Sequence, residues 1–454
     1  MRYRLALHIF RRDLRIFDNT SLTYSLKNAE KVIPCFILDP DQIENNPYRS
    51  DYALQFMIDC LFDLNHQLKN RGGRLYLFYG HPHNIVEQLI KVLRIDLVSI
   101  NRDYTPFSRR RDRLIESVCS KYRVDFLSHH DLLLTEPERI LKQNFQPYTI
   151  FTHFFNKAKR IPVSKPQSNS YKNYYNKKIA FAKNFEFVRQ ITPKTNQNLY
   201  FRGGRTEALK LLSRIENLNN YHRERNFPSL NRTTLLSPHN KFGTVSIREV
   251  YHTILSFFNQ NHELIRELYW RDFFTYLVYH FPNLLENPGN VKYNKLKWRH
   301  DKNQFEQWCQ GKTGIPIVDA GMRQLNQTGY IPNRSRLITA SFLVKDLFID
   351  WRWGEKYFAQ KLVDYDPAVN NGNWQWVASI GYDAQPYFRV FNPWRQQEKF
   401  DPDCVYVKQW LPELQLLTSH QIHNIAKLKV KNYPRPIVEH QFARQRAINQ
   451  FRKI

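Results

Sequence analysis

Over residues 1–130, short apolar runs alternate with amphipathic stretches. Residues 5–10, 31–38, 74–79, 97–101 and 124–127 read as buried strands, while 52–69 and 82–93 carry apolar side chains at helical spacing. Strands alternating with helices predict a parallel, doubly wound, Rossmann-like sheet, and so an α/β N-terminal domain. The first strand runs into Phe10-Arg11-Arg12-Asp13-Leu14-Arg15, so the glycine-rich dinucleotide fingerprint is missing. A ligand of this domain is held in some other way.

Between 131 and 199 the periodicity weakens and Lys, Asn, Pro and Tyr accumulate, which predicts a long basic linker wrapped over the surface. After Gly203-Gly204 the spacing becomes helical almost throughout, as in 247–258, 263–281, 335–348 and 353–362. The expected organisation is an α/β domain (1–130), a linker (131–199) and an all-α domain (200–454), with no internal repeat.

Composition narrows the function. The 454 residues carry 68 Lys plus Arg against 41 Asp plus Glu, a formal charge of +27 that favours polyanions through long-range attraction and counterion release. Nucleic acid leads that list, ahead of an anionic membrane surface. The apolar run after Arg2-Tyr3-Arg4 is too brief for a signal peptide, and 18 apolar residues never run together, so the expectation is a soluble intracellular protein. In a prokaryote it would be cytoplasmic and nucleoid-associated. The five cysteines are scattered without CxxC spacing and suggest neither a disulfide framework nor a zinc site. All nine tryptophans fall between Trp270 and Trp410, a bias that places aromatic chemistry in the second half.

Three segments carry candidate chemistry. Thr233, Thr234, Leu235, Leu236 and Ser237 precede a helix, where hydroxyls and backbone amides can cradle phosphate, although a simple capping turn explains the same residues. Glu267, Trp270 and Arg271 share one helical stripe that offers a carboxylate, a stacking ring and a guanidinium. A solvated salt-bridged face is the competing explanation. The most specific segment is 364–376, where Asp364, Asp366, Asn370, Asn371, Asn373, Trp374 and Trp376 crowd together. Buried polar groups need partners, and a heteroaromatic ligand with several donors and acceptors would supply them.

That run, together with Trp270-Arg-Asp, Thr328-Gly-Tyr-Ile-Pro-Asn-Arg, Lys312-Thr-Gly-Ile-Pro-Ile-Val-Asp-Ala-Gly-Met-Arg, Arg389-Val-Phe-Asn-Pro and the opening Phe10-Arg-Arg-Asp-Leu-Arg, resembles the photolyase and cryptochrome family in order over nearly the whole chain. Among its members the likeness is greatest to class I cyclobutane pyrimidine dimer photolyases. The resemblance implies an N-terminal α/β domain, a linker and a helical domain holding FAD, with reduced FAD as the active form. It also implies a second, antenna chromophore: a folate, a deazaflavin or a flavin. Asn101-Arg-Asp-Tyr and Arg109 to Arg111 lie where such a site could be lined, with a basic helix start as the plainer reading.

Carried over by resemblance, Tyr221 and the 233–237 segment would bind the FAD phosphates and Arg271 would lie beside the cofactor. Asp364 and Asp366 would hold its ring or ribose, Arg336 would pair with Asp364, and Asn370 would face flavin N5. Trp374, Trp351 and Trp298 match a chain of electron donors, although large core residues are the commoner role for buried tryptophan. Trp270 and Trp376 would flank a flipped-out dimer and Glu267 would hydrogen-bond or protonate it. Asn333 with Arg334 would contact base edge and DNA, Leu337 would make an apolar contact, and Arg389 and Lys399 would hold the backbone.

The implied activity is light-dependent splitting of pyrimidine dimers in DNA by a deoxyribodipyrimidine photo-lyase, in a monomer with no membrane partner and no metal. Pro332-Asn333 lacks the histidine pair of 6-4 photolyases. Leu337 in place of methionine, and Tyr365-Asp366-Pro367 with Asn373, keep a blue-light photoreceptor open, including the DASH type that acts on single strands.

Overall fold

The computed structural model describes residues 2–191 and 195–454. The chain packs as two compact units: residues 1–195, 201–217 and 234–282 form the first, and 196–200, 218–233 and 283–454 form the second. Positions 192–194 of the expected linker lie outside the described residues.

In the first unit, strands β1 (Tyr3–Phe10), β2 (Ala29–Leu38), β3 (Tyr76–Tyr79), β4 (Leu97–Asn101) and β5 (Asp125–His129) form one parallel sheet in the order β3-β2-β1-β4-β5. Helices α1 (Thr20–Asn28), α2 (Asp51–Lys69), α3 (Pro82–Leu93) and α4 (Pro106–Lys121) provide the crossovers. Burial on both faces explains why β1, β2 and β4 read as nearly continuous apolar runs. Ile33, Cys35, Phe78, Leu89 and Ile100 form part of the core between sheet and helices. The strand ends move by a few residues from their sequence limits. Tyr3 pairs with Ala29, which lengthens β2, whereas the Leu75 N–H donates to the Asn65 side chain and leaves the sheet to begin at Tyr76.

The linker is not only a surface wrap. Helix α5 (Phe151–Ala158) buries Phe151 and Phe154, and Tyr174 is 1% exposed where the chain bridges to Val32. Single aromatic anchors spaced through a Lys- and Asn-rich stretch make these contacts, and its average composition hides them.

The first unit also contains helices α6 (Arg205–Leu212), α7 (Ser237–Phe242), α8 (Ile247–Phe257) and α9 (Glu263–His280). Buried ion pairs lock α8 to the loop after β1: Arg248 reaches Asp18 at 2.9 Å and Asp131 at 2.8 Å, and Arg15 joins Asp131. Burial opposes ionisation of Asp131, but the two guanidiniums outweigh it and hold its carboxyl below the usual range. Gly243 has φ +65°, and a Cβ there would run into the backbone of Arg12.

The second unit is helical. Helices α10 (Pro316–Thr328), α11 (Asn333–Ser341), α12 (Trp351–Lys361), α13 (Pro367–Ala378), α14 (Pro393–Phe400) and α15 (His440–Arg452) surround a core that includes Trp308, Met322, Leu343, Trp351, Phe358 and Trp374. The expected single helix over 335–348 instead ends at Ser341 and continues as a π-helical turn over Phe342–Asp346. Lys345 and Asp346 are fully buried in that turn. The Lys345 ammonium donates to Ala378 O and Ser379 Oγ, and Asp346 pairs with His440 of α15 at 2.5 Å. Burial pushes Lys345 down to about 7 and Asp346 up to about 6.

Among the described residues, no helix is long and apolar enough to cross a membrane. The five cysteines are all buried and unpaired.

Candidate functional site

The polar segment 364–376 divides its residues between structure and site. Asp366 is the N-cap of α13 and accepts from the N–H groups of Ala368 and Val369 at 3.0 and 3.2 Å, with Pro367 at the first helical position. Asn371 and Gln375, one turn apart, donate to the backbone oxygens of Leu285 and Leu284, so they fix the neighbouring loop. Asn373 is exposed and donates to Val369 O. Trp374 and Trp376, two residues apart, point to roughly opposite sides of the helix: Trp374 is 2% exposed and Trp376 half-buried.

Asp364 and Asn370 remain. The Asp364 side chain is 5% exposed, and its Oδ2 accepts from Arg336 at 2.8 Å. Among the described residues its Oδ1, which is buried, has no hydrogen-bond partner. Such an oxygen is costly to bury and fits a ligand N–H or O–H. Asn370 turns its Nδ2 to Glu355, donating to Oε1 at 3.0 Å and to the main-chain oxygen at 3.2 Å. The donor half of the amide is thereby committed, and the acceptor half is what Asn370 presents. Burial pushes Glu355 up to about 7, against the lowering effect of the Asn370 hydrogen bond.

Tyr221 is buried, and Thr233 shares a side-chain hydrogen bond with Tyr330. Trp298, Trp351 and Trp374 lie in one apolar cluster, the first packed at its margin against Phe348 at 4.9 Å. Arg334 donates to Asn226 Oδ1 at 2.5 Å and sits 4.2 Å over the Phe400 ring, which Lys399 approaches at 5.3 Å, so one ring gathers two cations. Leu337 is half-buried, while Asn333, Arg389 and Lys399 are exposed.

In the first unit, Leu235 adopts φ +55° and Leu236 φ −86°, ψ −1°. Left- and right-handed residues in succession bend the backbone into an anion-accepting concavity, and the Thr234 hydroxyl accepts from Leu236 N–H at 3.3 Å, just before Ser237 opens α7. Glu267, Trp270 and Arg271 lie on α9 as the spacing requires. Trp270 stacks on Phe151 at 3.6 Å and 5°, and Arg266 covers the same phenylalanine ring at 5.0 Å. Arg271 donates to Leu132 O at 2.9 Å and pairs with Asp272 at 3.3 Å. Burial drives Asp272 up to about 7 although Arg271 and the Leu134 N–H favour its ionised form.

Comparison with known proteins gives the chain's family. Sequence profiles described as "DNA photolyase" and "FAD binding domain of DNA photolyase" match residues 6–169 and 264–453. A deoxyribodipyrimidine photo-lyase of Alkalihalophilus pseudofirmus is 35% identical over 98% of this chain and 97% of that protein. The chain belongs to the DNA photolyase family. The crystal structure of an archaeal photolyase from Sulfolobus tokodaii with two FAD molecules is 43% identical, with a TM-score of 0.91 over 99% of this chain and 100% of that one. A class III photolyase from Agrobacterium tumefaciens is 34% identical, with a TM-score of 0.93 over 100% and 98%. As a member of this family the chain carries its FAD-binding domain, and the unpartnered Asp364 oxygen fits that cofactor.

Sequence reasoning missed three supporting residues of this photolyase-family chain. Glu355 orients Asn370, Phe151 backs Trp270, and Asp272 fastens α9 through the Leu134 N–H at 2.7 Å. Only Asp272 had a signal, as the third member of Trp270-Arg-Asp.

Proposed function

We propose that the chain is a light-driven lyase that splits cyclobutane pyrimidine dimers in DNA with FAD as its electron source. The observation that carries this reading is the pair Asp364 and Asn370: one presents an unpartnered buried carboxylate oxygen, the other a fixed amide acceptor. When bound, reduced and excited by blue light, FAD supplies one electron to the dimer and takes it back after the ring has opened. The reaction then has no net redox change.

The protein's own residues hold and orient. Arg336 holds the Asp364 carboxylate in place for a flavin or ribose donor, and Asn370 offers an acceptor where a carboxylate would repel an anionic ring. The 233–237 segment and Tyr221 are assigned to the phosphates, and Arg271 to the cofactor edge. Phe151 holds Trp270 flat for stacking on a dimer, with Trp376, Glu267, Asn333 and Leu337 as the other dimer-binding residues. Because a lesion is already poorly stacked, extruding it costs less than extruding a normal base. Arg334, Arg389 and Lys399 hold the DNA backbone through charge. The chain acts as a soluble intracellular monomer, with residues 200–454 carrying the FAD and DNA sites.

The test is irradiation of ultraviolet-damaged duplex DNA with flavin-loaded, chemically reduced protein. Dimers lost in blue light and kept in the dark support the reading; dimers kept in both overturn it. A second FAD as antenna is favoured by the Sulfolobus tokodaii photolyase, which holds two FAD molecules. Flavin released from a known amount of folded protein separates two FAD per chain from one.

A further inference from the structure

Just before α5 the chain makes a tight hairpin. The Lys142 N–H donates to Gln146 O and the Phe145 N–H to Lys142 O, each at 3.0 Å, which leaves Gln143, Asn144 and Phe145 as the loop. Both ends of the hairpin are pinned to α9 by one hydroxyl: Tyr276 donates to Ile140 O at 2.7 Å and accepts from the Tyr148 N–H at 2.8 Å. The last position of a three-residue hairpin loop is left-handed and favours glycine. Here it holds Phe145, at φ +59°. The ring is 81% exposed, more than any other phenylalanine among the described residues. The turn would be relaxed by glycine and the core gains almost nothing from the ring, so neither accounts for a phenylalanine at this place.

The surroundings say what the ring meets. From Arg139 to Phe185 the chain has no Asp or Glu and ten Lys or Arg, all ten exposed. Lys142 lies on the hairpin itself, and Lys157, Lys159 and Arg160 lie at the end of α5. This charge attracts phosphates, and an exposed aromatic ring among cations is the combination that stacks nucleobases. The segment is also tied to the dimer-binding side, because Phe151 of α5 carries the stacked Trp270. Phe145 and Phe151 are six residues apart, a reach of at most about 22 Å. One DNA strand advances about 3.4 Å per nucleotide, so that reach covers about six nucleotides.

We propose that Phe145 stacks on a base of the DNA beside the dimer, within about six nucleotides of it. The inference deepens the proposed function and rests on it, since it takes Trp270 as a dimer-binding residue. Stacking is indifferent to which base is met, so the contact adds affinity near the lesion without reading sequence. The left-handed backbone stands the ring off the hairpin, where a strand held by the neighbouring lysines passes.

The experiment measures binding in the dark by reduced, FAD-loaded holoprotein. Its probes are duplexes with one thymine dimer and one 2-aminopurine, the fluorescent base being moved nucleotide by nucleotide away from the dimer on either side. In the wild type, one probe position changes its fluorescence on binding. Phe145→Gly removes that change and weakens binding about fivefold or more, while Phe145→Tyr, which keeps a stacking ring, retains both. The slope of log affinity against log salt stays the same in Phe145→Gly, because no cation is lost, and falls in Lys142→Ala. Phe145→Gly also keeps its FAD and melts no lower than the wild type; a lower melting temperature assigns the ring to the fold and overturns the contact.

Unchanged affinity in Phe145→Gly overturns it too, as does a wild-type dimer in sedimentation that Phe145→Gly dissolves with DNA binding unaltered, which puts a second copy of the chain against the ring. A wild type that neither prefers nor repairs the dimer-containing duplex overturns the proposed function itself. A wild type that does both, with Phe145→Gly indistinguishable from it, overturns only the role of Phe145.

Discussion

Replacing Glu355 with glutamine keeps its shape and removes its charge, which makes the role of this residue measurable. Glu355 is 4% exposed on α12, and burial raises it to about 7 from an ordinary 4.5. A carboxyl raised in the folded state binds a proton more tightly there than in the unfolded chain. Its contribution to stability is therefore complete below pH 4.5 and is lost as pH rises through 7. A shift of that size corresponds to about 3 kcal/mol. Denaturant unfolding of apoprotein at a series of pH values, for wild type and Glu355→Gln, isolates the group, because Asp272, Asp319 and Asp346 titrate alike in both. The wild type should lose about 3 kcal/mol more than the variant between pH 4.5 and 8. Identical slopes would refute the reasoning. The same substitution frees the Asn370 amide to turn, since Gln can either donate or accept, so the oxidised flavin should bind with an altered visible spectrum.

Trp374→Phe should block photoreduction of oxidised FAD and spare dimer repair by chemically pre-reduced protein; a time course of flavin absorbance checks the first and a repair assay the second. Gly354→Ala drives a Cβ into the Trp374 indole and should cost about 1–3 kcal/mol, read as a lower melting temperature. Asp364→Asn breaks the Arg336 ion pair and should lower FAD content after gel filtration, by about 1.5–3 kcal/mol of binding free energy. Arg389→Ala should weaken binding to dimer-containing and intact DNA alike and reduce the slope of log affinity against log salt by about 1.

The parallel sheet is legible in the sequence because strands buried on both faces appear as unbroken apolar runs, as in 31–38 and 97–101. The start of β3 is less so, since Arg74 and Leu75 look like strand residues until Asn65 is seen to take the Leu75 N–H. Within 364–376 the composition shows that polar groups need partners but not which partners. Asn371 and Gln375 find theirs in backbone oxygens, whereas Asp364 keeps an oxygen unpaired. Glu355 and Phe151 were invisible as site residues because a helical glutamate and a linker phenylalanine are ordinary until the fold sets them against Asn370 and Trp270. The π-helical turn at Phe342–Asp346 was equally hidden, because its cause is the tertiary partners of Lys345 and Asp346.

The most direct test of the central claim uses one oligonucleotide duplex with a single thymine dimer and one with a single 6-4 photoproduct, each incubated with reduced, FAD-loaded protein in blue light and in the dark. The account predicts restored thymines from the dimer in the light alone and an unchanged 6-4 photoproduct. An intact dimer after illumination, with FAD bound and photoreducible, would contradict it and leave a photoreceptor in its place.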